Sequence, residues 1–248
     1  MNYDWNWLVF LQATIDGGSR YAWWMLSGFG LTVLIALAAW VLALALGVGL
    51  GVARTLPSVA LRVPVVLYVE VFRNIPLLVQ LFFWYYIAPV LLLPATLQEA
   101  VNAAHPVLVQ TLTAILCLGL FTAARVCEQV RAGIEAQPRG RFNAAHALGL
   151  TRYQAYRHVI LPMAFRVVLP PLTSEFLNVF KNTAAVLAIG LLELTARSRQ
   201  VGEFTGHIFE AFIVATALYF IVAQVVGHAM RRLELRLALP GHTGGSDA

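Results

Sequence analysis

The chain has 248 residues, of which 60% are hydrophobic and only 12% are charged. A soluble domain carries about 25% charged residues, so this balance excludes an ordinary water-soluble fold and indicates a membrane protein. The net charge of +5 does not point to nucleic acid, because the arginines lie in loops beside apolar segments, where the retention of basic residues in cytoplasmic loops explains them.

Five apolar segments are long enough to cross a bilayer as helices, which takes about 20 residues each. The core of the first span is 31–53, and the others lie at about 63–93, 107–130, 160–180 and 209–230. A further apolar stretch, 184–192, is too short to cross and is predicted to be re-entrant or interfacial. The predicted fold class is therefore an all-α membrane protein with about five transmembrane helices.

The ends of these spans divide the chain into three parts. Residues 1–25 are predicted to be a periplasmic N-terminal segment, 26–237 the transmembrane domain, and 238–248 a disordered cytoplasmic tail rich in glycine and small polar residues. The N-terminus is predicted to lie in the periplasm and the C-terminus in the cytoplasm. In this orientation only Arg20, Arg197 and Arg199 among the loop arginines lie outside, in agreement with the retention of basic residues in cytoplasmic loops.

The connection between the third and fourth predicted spans has the local chemistry of two short helices. The first is predicted at about 141–148 and ends at Gly149, a residue type that adopts the left-handed conformation freely. Thr151 and Gln154 have the spacing of a capping box, which begins the second helix, and Pro162 marks entry to the next span. The residues alone leave two interpretations: a docking element for another protein, or an amphipathic helix pair on anionic lipid.

The same connection resembles the "EAA" loop of ABC-importer permeases. The family pattern is Glu-Ala-Ala, three residues, Gly, a spacer and Ile-x-Leu-Pro; the corresponding residues here are Asn143-Ala144-Ala145, Gly149 and Val159-Ile160-Leu161-Pro162. Asn143 departs from the usual glutamate, which puts one polar contact in doubt. The resemblance implies that a separate ATPase docks here, through Arg139, Gly140, Asn143, Ala144, Ala145, Gly149, Tyr153, Arg157 and Pro162.

Two other stretches resemble polar amino-acid permeases, namely Phe72-Arg73-Asn74-Ile75-Pro76-Leu77-Leu78-Val79-Gln80 and Lys181-Asn182-Thr183-Ala184. The opening Asp4-Trp5-Asn6-Trp7 and the run 121–131 are most similar to glutamate/aspartate permease subunits. The resemblance implies the ABC importer permease fold, with a cytoplasmic helix-turn-helix coupling loop, in a bacterial inner membrane. It further implies ATP-driven import of polar amino acids, glutamate and aspartate first, with three partners: an ATP-binding subunit, a second homologous permease and a periplasmic amino-acid-binding protein.

Charged residues inside spans are candidates for a substrate path. Glu70 and Arg73 are three residues apart, so they share a helix face and are predicted to neutralise each other. Either this is a structural ion pair, or Arg73 positions a substrate carboxylate beside Asn74 at a helix broken by Pro76.

Other polar residues and glycines of the spans also leave alternatives. Lys181, Asn182 and Thr183 form either a gate or substrate contact, or an interfacial anchor. Glu128 and Glu175 are predicted to pair with neighbouring arginines. The pattern Gly47-x-x-x-Gly51 predicts the close approach of another helix, either within the chain or in a second subunit.

Motifs for catalysis and metal binding are missing from the sequence. There is no Gly-x-x-x-x-Gly-Lys-Ser/Thr, no Gly-x-Ser-x-Gly and no His-Glu-x-x-His, and the histidines and two cysteines lack metal-ligand spacing. The chain is thus predicted to be no enzyme and to bind no cofactor, metal or nucleic acid, with ATP hydrolysed by a separate subunit. Two alternatives are an ion-driven secondary transporter, which would normally show related halves with paired interrupted helices, and a non-transporting membrane scaffold.

Overall fold

The computed structural model describes residues 3–237, apart from the side chains of Arg139, Glu234 and Leu237. These residues form helices joined by short connections, and the only β-type pairing among them is an isolated bridge between Ala13 and Arg20. The α-helices are α1 Tyr21–Thr55, α2 Val59–Asn74, α3 Leu77–Phe82, α4 Ala88–Leu92, α5 Ala95–Ala103, α6 Pro106–Glu135, α7 Arg139–Ala147, α8 Arg152–Ala155, α9 Leu161–Asn182, α10 Leu194–Thr205 and α11 Ile208–Leu237. The predicted tail, 238–248, lies outside the described residues.

Four helical segments in the described part of the chain are long and apolar enough to cross a membrane: Tyr21–Thr55, Pro106–Glu135, Arg152–Ile189 and Ile208–Leu233. A fifth is available if the pair Val59–Asn74 and Leu77–Leu92, bent by 107°, is taken as one broken span. The prediction of an all-α membrane protein with about five spans is confirmed. The break in the second span falls between Asn74 and Leu77, at the Pro76 where the sequence predicted it.

The helical hairpin formed by α7 and α8 marks one end of the bundle, here called the hairpin end. The Tyr156 hydroxyl lies 3.1 Å from the Thr55 hydroxyl, so the last residue of α1 lies at this end. At the opposite end, the start of α11 holds the N-terminal segment, because the buried Glu210 carboxylate accepts hydrogen bonds from the Tyr3 hydroxyl at 2.5 Å and the Asn6 amide at 2.7 Å.

Glycines bring α1 and α6 together as parallel neighbours. A Cβ added to Gly47 would lie 2.6 Å from the Val126 Cβ, and one added to Gly51 would lie 2.7 Å from the Val130 Cβ. Small residues permit this close approach of two backbones. The Gly47-x-x-x-Gly51 pattern is thus explained by packing within the chain.

The short apolar stretch after α9 forms a seven-residue 3-10 helix, Thr183–Ile189, instead of a span. It ends at Gly190, whose φ of +84° requires the left-handed region that glycine tolerates. The following helix α10 was not predicted from the sequence, because its polar composition hides a buried face that includes Leu194 and Val201.

Candidate functional site

The hairpin is built by local backbone chemistry. Helix α7 stops because Gly149 has a φ of +75°, and the Leu150 amide donates to the Ala145 carbonyl at 3.1 Å, closing the turn. Thr151 and Gln154 form the reciprocal capping box that begins α8. The turn and the cap agree with the sequence prediction, although α7 begins at Arg139, two residues earlier than expected.

The hairpin presents most of its predicted docking residues to the outside. Among those nine, the exposed ones are Gly140, Asn143, Ala144, Gly149, Tyr153, Arg157 and Pro162, whereas Ala145 is buried. Leu148 is 80% exposed and Tyr153 is 69% exposed, so an apolar and an aromatic side chain stand beside the turn. Leu148 was not singled out from the sequence, where a leucine next to alanines looks like a core residue.

Inward-facing aromatic side chains attach the hairpin to the spans. The rings of Phe142 and Tyr156 meet edge to face at 6.0 Å, and both pack against a buried cluster that contains Ile134 and Ile160. A π-helical turn, Tyr156–Ile160, joins α8 directly to α9. A displacement of the hairpin would therefore move the ends of α6 and α9 with it.

A glutamine side chain stabilises the break in the second span by hydrogen bonding. Pro76 cannot donate a backbone hydrogen bond, which leaves the Phe72 carbonyl four residues earlier without its helical partner. The Gln80 amide nitrogen donates to the Phe72 carbonyl at 2.9 Å and to the Ile75 carbonyl at 2.8 Å, and Gln80 is only 5% exposed. In the sequence, Gln80 is only the last residue of the motif 72–80. The structure shows that its side chain caps the carbonyls at the helix break.

Glu70, Arg73 and Asn74 are exposed on the surface of the isolated chain beside this break. The Asn74 amide nitrogen donates to the Glu70 carboxylate at 3.0 Å, and Arg73 forms no ion pair with any described carboxylate. The predicted Glu70–Arg73 ion pair is therefore wrong. Asn74, one helical turn after Glu70, takes the place of the arginine.

Arg73 borders a polar cavity of about 270 Å³ between α2, α6 and α9. The Arg125 Nε donates to the Glu175 carboxylate at 2.8 Å, and the Gln129 amide donates to the same carboxylate at 3.2 Å. Glu128, which also lines the cavity, is engaged by Arg54 and Arg131. The predicted pairing of Glu128 and Glu175 with arginines is thus present, and Arg73 is the lining arginine that stays unpaired among the described residues.

The cavity lies deep along the helices. At 1.5 Å per residue, Arg125 is about 15 Å from the hairpin end of α6, and Arg73 and Glu175 are about 21 Å from the hairpin ends of α2 and α9. These charges therefore lie within the lengths of the candidate spans and not at their hairpin ends.

The second predicted group of path residues lies at the far end of α9. Lys181 is exposed, Asn182 is half-buried, and the buried Thr183 hydroxyl donates to the Phe180 carbonyl at 2.7 Å. Thr183 therefore serves the start of the 3-10 helix in this structure. The residues 181–183 are not among those that line the polar cavity.

Glu193 is a buried carboxyl group that no motif in the sequence singled out. It is fully buried and accepts hydrogen bonds from the Ala196 amide at 2.8 Å, the Tyr219 hydroxyl at 3.1 Å and the Thr32 hydroxyl at 3.3 Å. Burial raises the pKa of this carboxyl, and the hydrogen bonds oppose that rise. Glu193 thus caps α10 and ties it to α1 and α11.

Comparisons with known sequences agree on one protein family. Residues 43–238 match the model of the family described as "Binding-protein-dependent transport system inner membrane component". Glutamate/aspartate import permease protein GltJ of Escherichia coli strain K12 is 44% identical over 246 residues, which cover 99% of this chain and 100% of the relative. GltK of Escherichia coli O6:H1, also named a glutamate/aspartate import permease protein, is 30% identical and aligns with 87% of this chain and 94% of its own length.

Solved structures support the same fold. The chain matches an amino acid ABC transporter, crystallised with histidines, with a TM-score of 0.74 and 28% identity over 87% of this chain and 95% of that one. The MetNI methionine ABC transporter matches with a TM-score of 0.71 over 88% of this chain and 98% of that one, at 20% identity, and shows the fold alone. Since the family model covers most of the chain, the chain belongs to the binding-protein-dependent transport system inner membrane components, as a permease subunit of the polar amino-acid ABC importers.

Proposed function

We propose that this permease imports acidic amino acids, glutamate and aspartate, across the bacterial inner membrane. In this proposal it pairs with a second, homologous permease, receives the substrate from a periplasmic binding protein and is driven by a separate ATP-binding subunit. Support for the substrate comes from the two relatives named as glutamate/aspartate import permeases, one of which is 44% identical over nearly the whole chain.

The exposed charges within the candidate spans support the pairing with a second permease. A charged side chain facing hydrocarbon is expensive, so such residues normally face protein or a water-filled cavity. Glu70 and Arg73 are exposed on the isolated chain, and the Arg125 side chain is 43% exposed. We infer that a second permease covers this face and that the substrate passes between the two.

The polar cavity beside Arg73 is the observation that carries the proposal. Its volume of about 270 Å³ is a little below the roughly 300–1,000 Å³ typical of pockets for drug-sized ligands, which suits a small zwitterion. An acidic amino acid has two carboxylates and one ammonium group, so it needs more cationic than anionic partners. The lining has two arginines and two glutamates, and Glu128 is already neutralised by Arg54 and Arg131, which lie outside the lining. Arg73, which has no ion pair among the described residues, can bind one carboxylate. Arg125 can be shared with the second carboxylate, and Glu175 can accept a hydrogen bond from the ammonium group.

The hairpin is the proposed docking site for the ATP-binding subunit, at the cytoplasmic face. Leu148, Tyr153 and Arg157 stand outward beside the Gly149 turn, while Phe142 and Tyr156 hold the hairpin to α6 and α9. Both of these helices also line the polar cavity. A displacement of the hairpin would therefore be transmitted through α6 and α9 to the substrate cavity. The contacts of the hairpin with these helices would differ between the two conformational states of the importer.

The test uses the importer complex purified with its native partners and reconstituted in vesicles. We expect a bound P-loop ATPase and ATP-dependent uptake of labelled glutamate and aspartate. Arg73→Gln should reduce uptake at least tenfold without loss of assembly, whereas Arg199→Gln, at the opposite end of the bundle and paired with Glu203, should not. Full uptake by an assembled Arg73→Gln complex would remove Arg73 from the path, and uptake driven by an ion gradient without ATP would refute the importer mechanism.

A further inference from the structure

A second polar cavity lies at the base of the hairpin, apart from the cavity that holds Arg73. Its volume is about 560 Å³, and it lies between the α1–α2 connection, the end of α6 and the inner side of α7 and α8. Its lining contains three arginines, one glutamate and one histidine: Arg54, Arg62, Arg152, Glu135 and His146. The cavity therefore presents three guanidinium groups and one carboxylate.

The one carboxylate of the lining is already engaged. Glu135 is bound by Arg131, the residue one helical turn before it on α6. Arg54 is bound by Glu128. By contrast, Arg62 and Arg152 are exposed, and neither forms an ion pair with a described carboxylate.

The sequence around the cavity offers no local acid to neutralise these two arginines. No aspartate or glutamate occurs at 55–69 or at 136–174. Arg62 also lies in the first turn of α2, where the helix dipole disfavours a cation, so helix stability does not account for it. The excess positive charge points to an anion supplied from outside the chain.

The position of the cavity favours an anionic phospholipid over other anions. The ends of α1 and α6 border it, so it lies at the level where spans leave the membrane and lipid phosphates are found. Guanidinium groups bind phosphate oxygens in a bidentate manner, and basic pockets between spans are suited to anionic headgroups. The Thr55 and Tyr156 side chains add hydroxyl groups to the same wall.

We propose that this cavity binds the phosphate headgroup of an anionic phospholipid, held chiefly by Arg62 and Arg152. Because Arg62 belongs to α2 and Arg152 to α8, the headgroup would connect the membrane-embedded body to the hairpin. The lipid would thereby stabilise one position of the proposed ATPase docking site. The inference rests on the membrane arrangement of the proposed function.

The test measures lipid retention by the intact importer complex with native mass spectrometry. Phosphatidylglycerol and phosphatidylcholine are added separately, and inorganic phosphate is added as a soluble competitor. We compare the double variant Arg62→Gln/Arg152→Gln with Arg231→Gln/Arg232→Gln, which removes the same charge from exposed residues of α11 outside the cavity. Arg62→Lys keeps the charge without the fork geometry.

We expect the wild-type complex to retain phosphatidylglycerol in preference to phosphatidylcholine. Each lost arginine should weaken that retention about fivefold, the equivalent of about 1 kcal/mol, so the cavity double variant should lose about 25-fold and the α11 double variant less than twofold. Arg62→Lys should fall between wild type and Arg62→Gln.

Several results would overturn the proposal. Equal losses in the two double variants would mean diffuse surface attraction, and complete competition by inorganic phosphate would mean a soluble anion. Loss of the ATPase subunit from the cavity variant at unchanged lipid retention would mean that the arginines bind a protein acid. A wild-type complex that imports amino acids without retaining the lipid would refute this inference alone, whereas lipid retention without ATP-dependent uptake would refute the proposed function alone.

Discussion

Replacement of Gly149 tests whether the turn of the hairpin acts through its backbone. The φ of +75° lies in the left-handed region, and a Cβ added there would meet no atom within 4 Å. The difficulty of any substitution is therefore conformational and not steric. For an L-residue the left-handed conformation costs about 1–2 kcal/mol, enough to shift a local equilibrium about 5- to 30-fold.

A series of three substitutions separates backbone strain from side-chain size. Asparagine tolerates the left-handed region better than alanine, and a β-branched valine tolerates it least. If strain decides, the ratio of uptake to ATP hydrolysis should fall in the order Gly149→Asn, Gly149→Ala, Gly149→Val. If bulk at a docking surface decides, the smaller alanine should do better than asparagine.

The assay measures both uptake and ATP hydrolysis by the reconstituted complex, so that coupling is read separately from assembly. Gly49→Ala is the matched control, because Gly49 is also exposed with no atom within 4 Å of an added Cβ, but it lies inside α1, outside the docking residues and without a positive φ. It should be neutral or slightly stabilising, since alanine favours a helix by up to about 1 kcal/mol. An alanine variant of Gly149 that couples better than the asparagine variant would refute the reasoning.

Three further substitutions test the packing and the buried polar groups, each followed by thermal or denaturant unfolding in detergent. Gly47→Ala should destabilise the α1–α6 contact by about 1–3 kcal/mol through overpacking, whereas Gly49→Ala, with open space around its Cβ position, should not; equal effects would contradict the close-packing account. Gln80→Ala should cost about 1–3 kcal/mol because two backbone carbonyls at the break lose their side-chain donor; an unchanged unfolding midpoint would show that the break does not need this cap. For Glu193 the folded-state pKa is raised, so stability from its protonated form is present below the unfolded pKa of about 4.3 and is lost as the pH rises through the folded pKa. Glu193→Gln should abolish that decline; the same pH profile in variant and wild type would exclude Glu193 as its source.

The sequence by itself determined the features that depend on neighbouring residues. Hydrophobic length predicted the spans, because a helix in lipid satisfies its own backbone and needs only enough apolar residues to cross. Gly149 and the Thr151–Gln154 pair likewise predicted the turn and the capping box, since both devices close within a few residues. The family resemblance, now supported by matches over nearly the whole chain, came from the same local motifs.

Only the tertiary structure decided which distant groups meet. Glu70 and Arg73 have the spacing of an ion pair, yet Glu70 accepts a hydrogen bond from Asn74 and Arg73 lines a cavity. The reason is that the surroundings of each charge depend on which side chains of α6 and α9 pack beside α2. Arg125 and Glu175 are fifty residues apart and meet by helix packing. The caps made by Gln80 and Glu193 likewise depend on helix positions that no local pattern encodes. The same holds for Arg62 and Arg152 at the base of the hairpin, which have no ion pair within the described part of the chain.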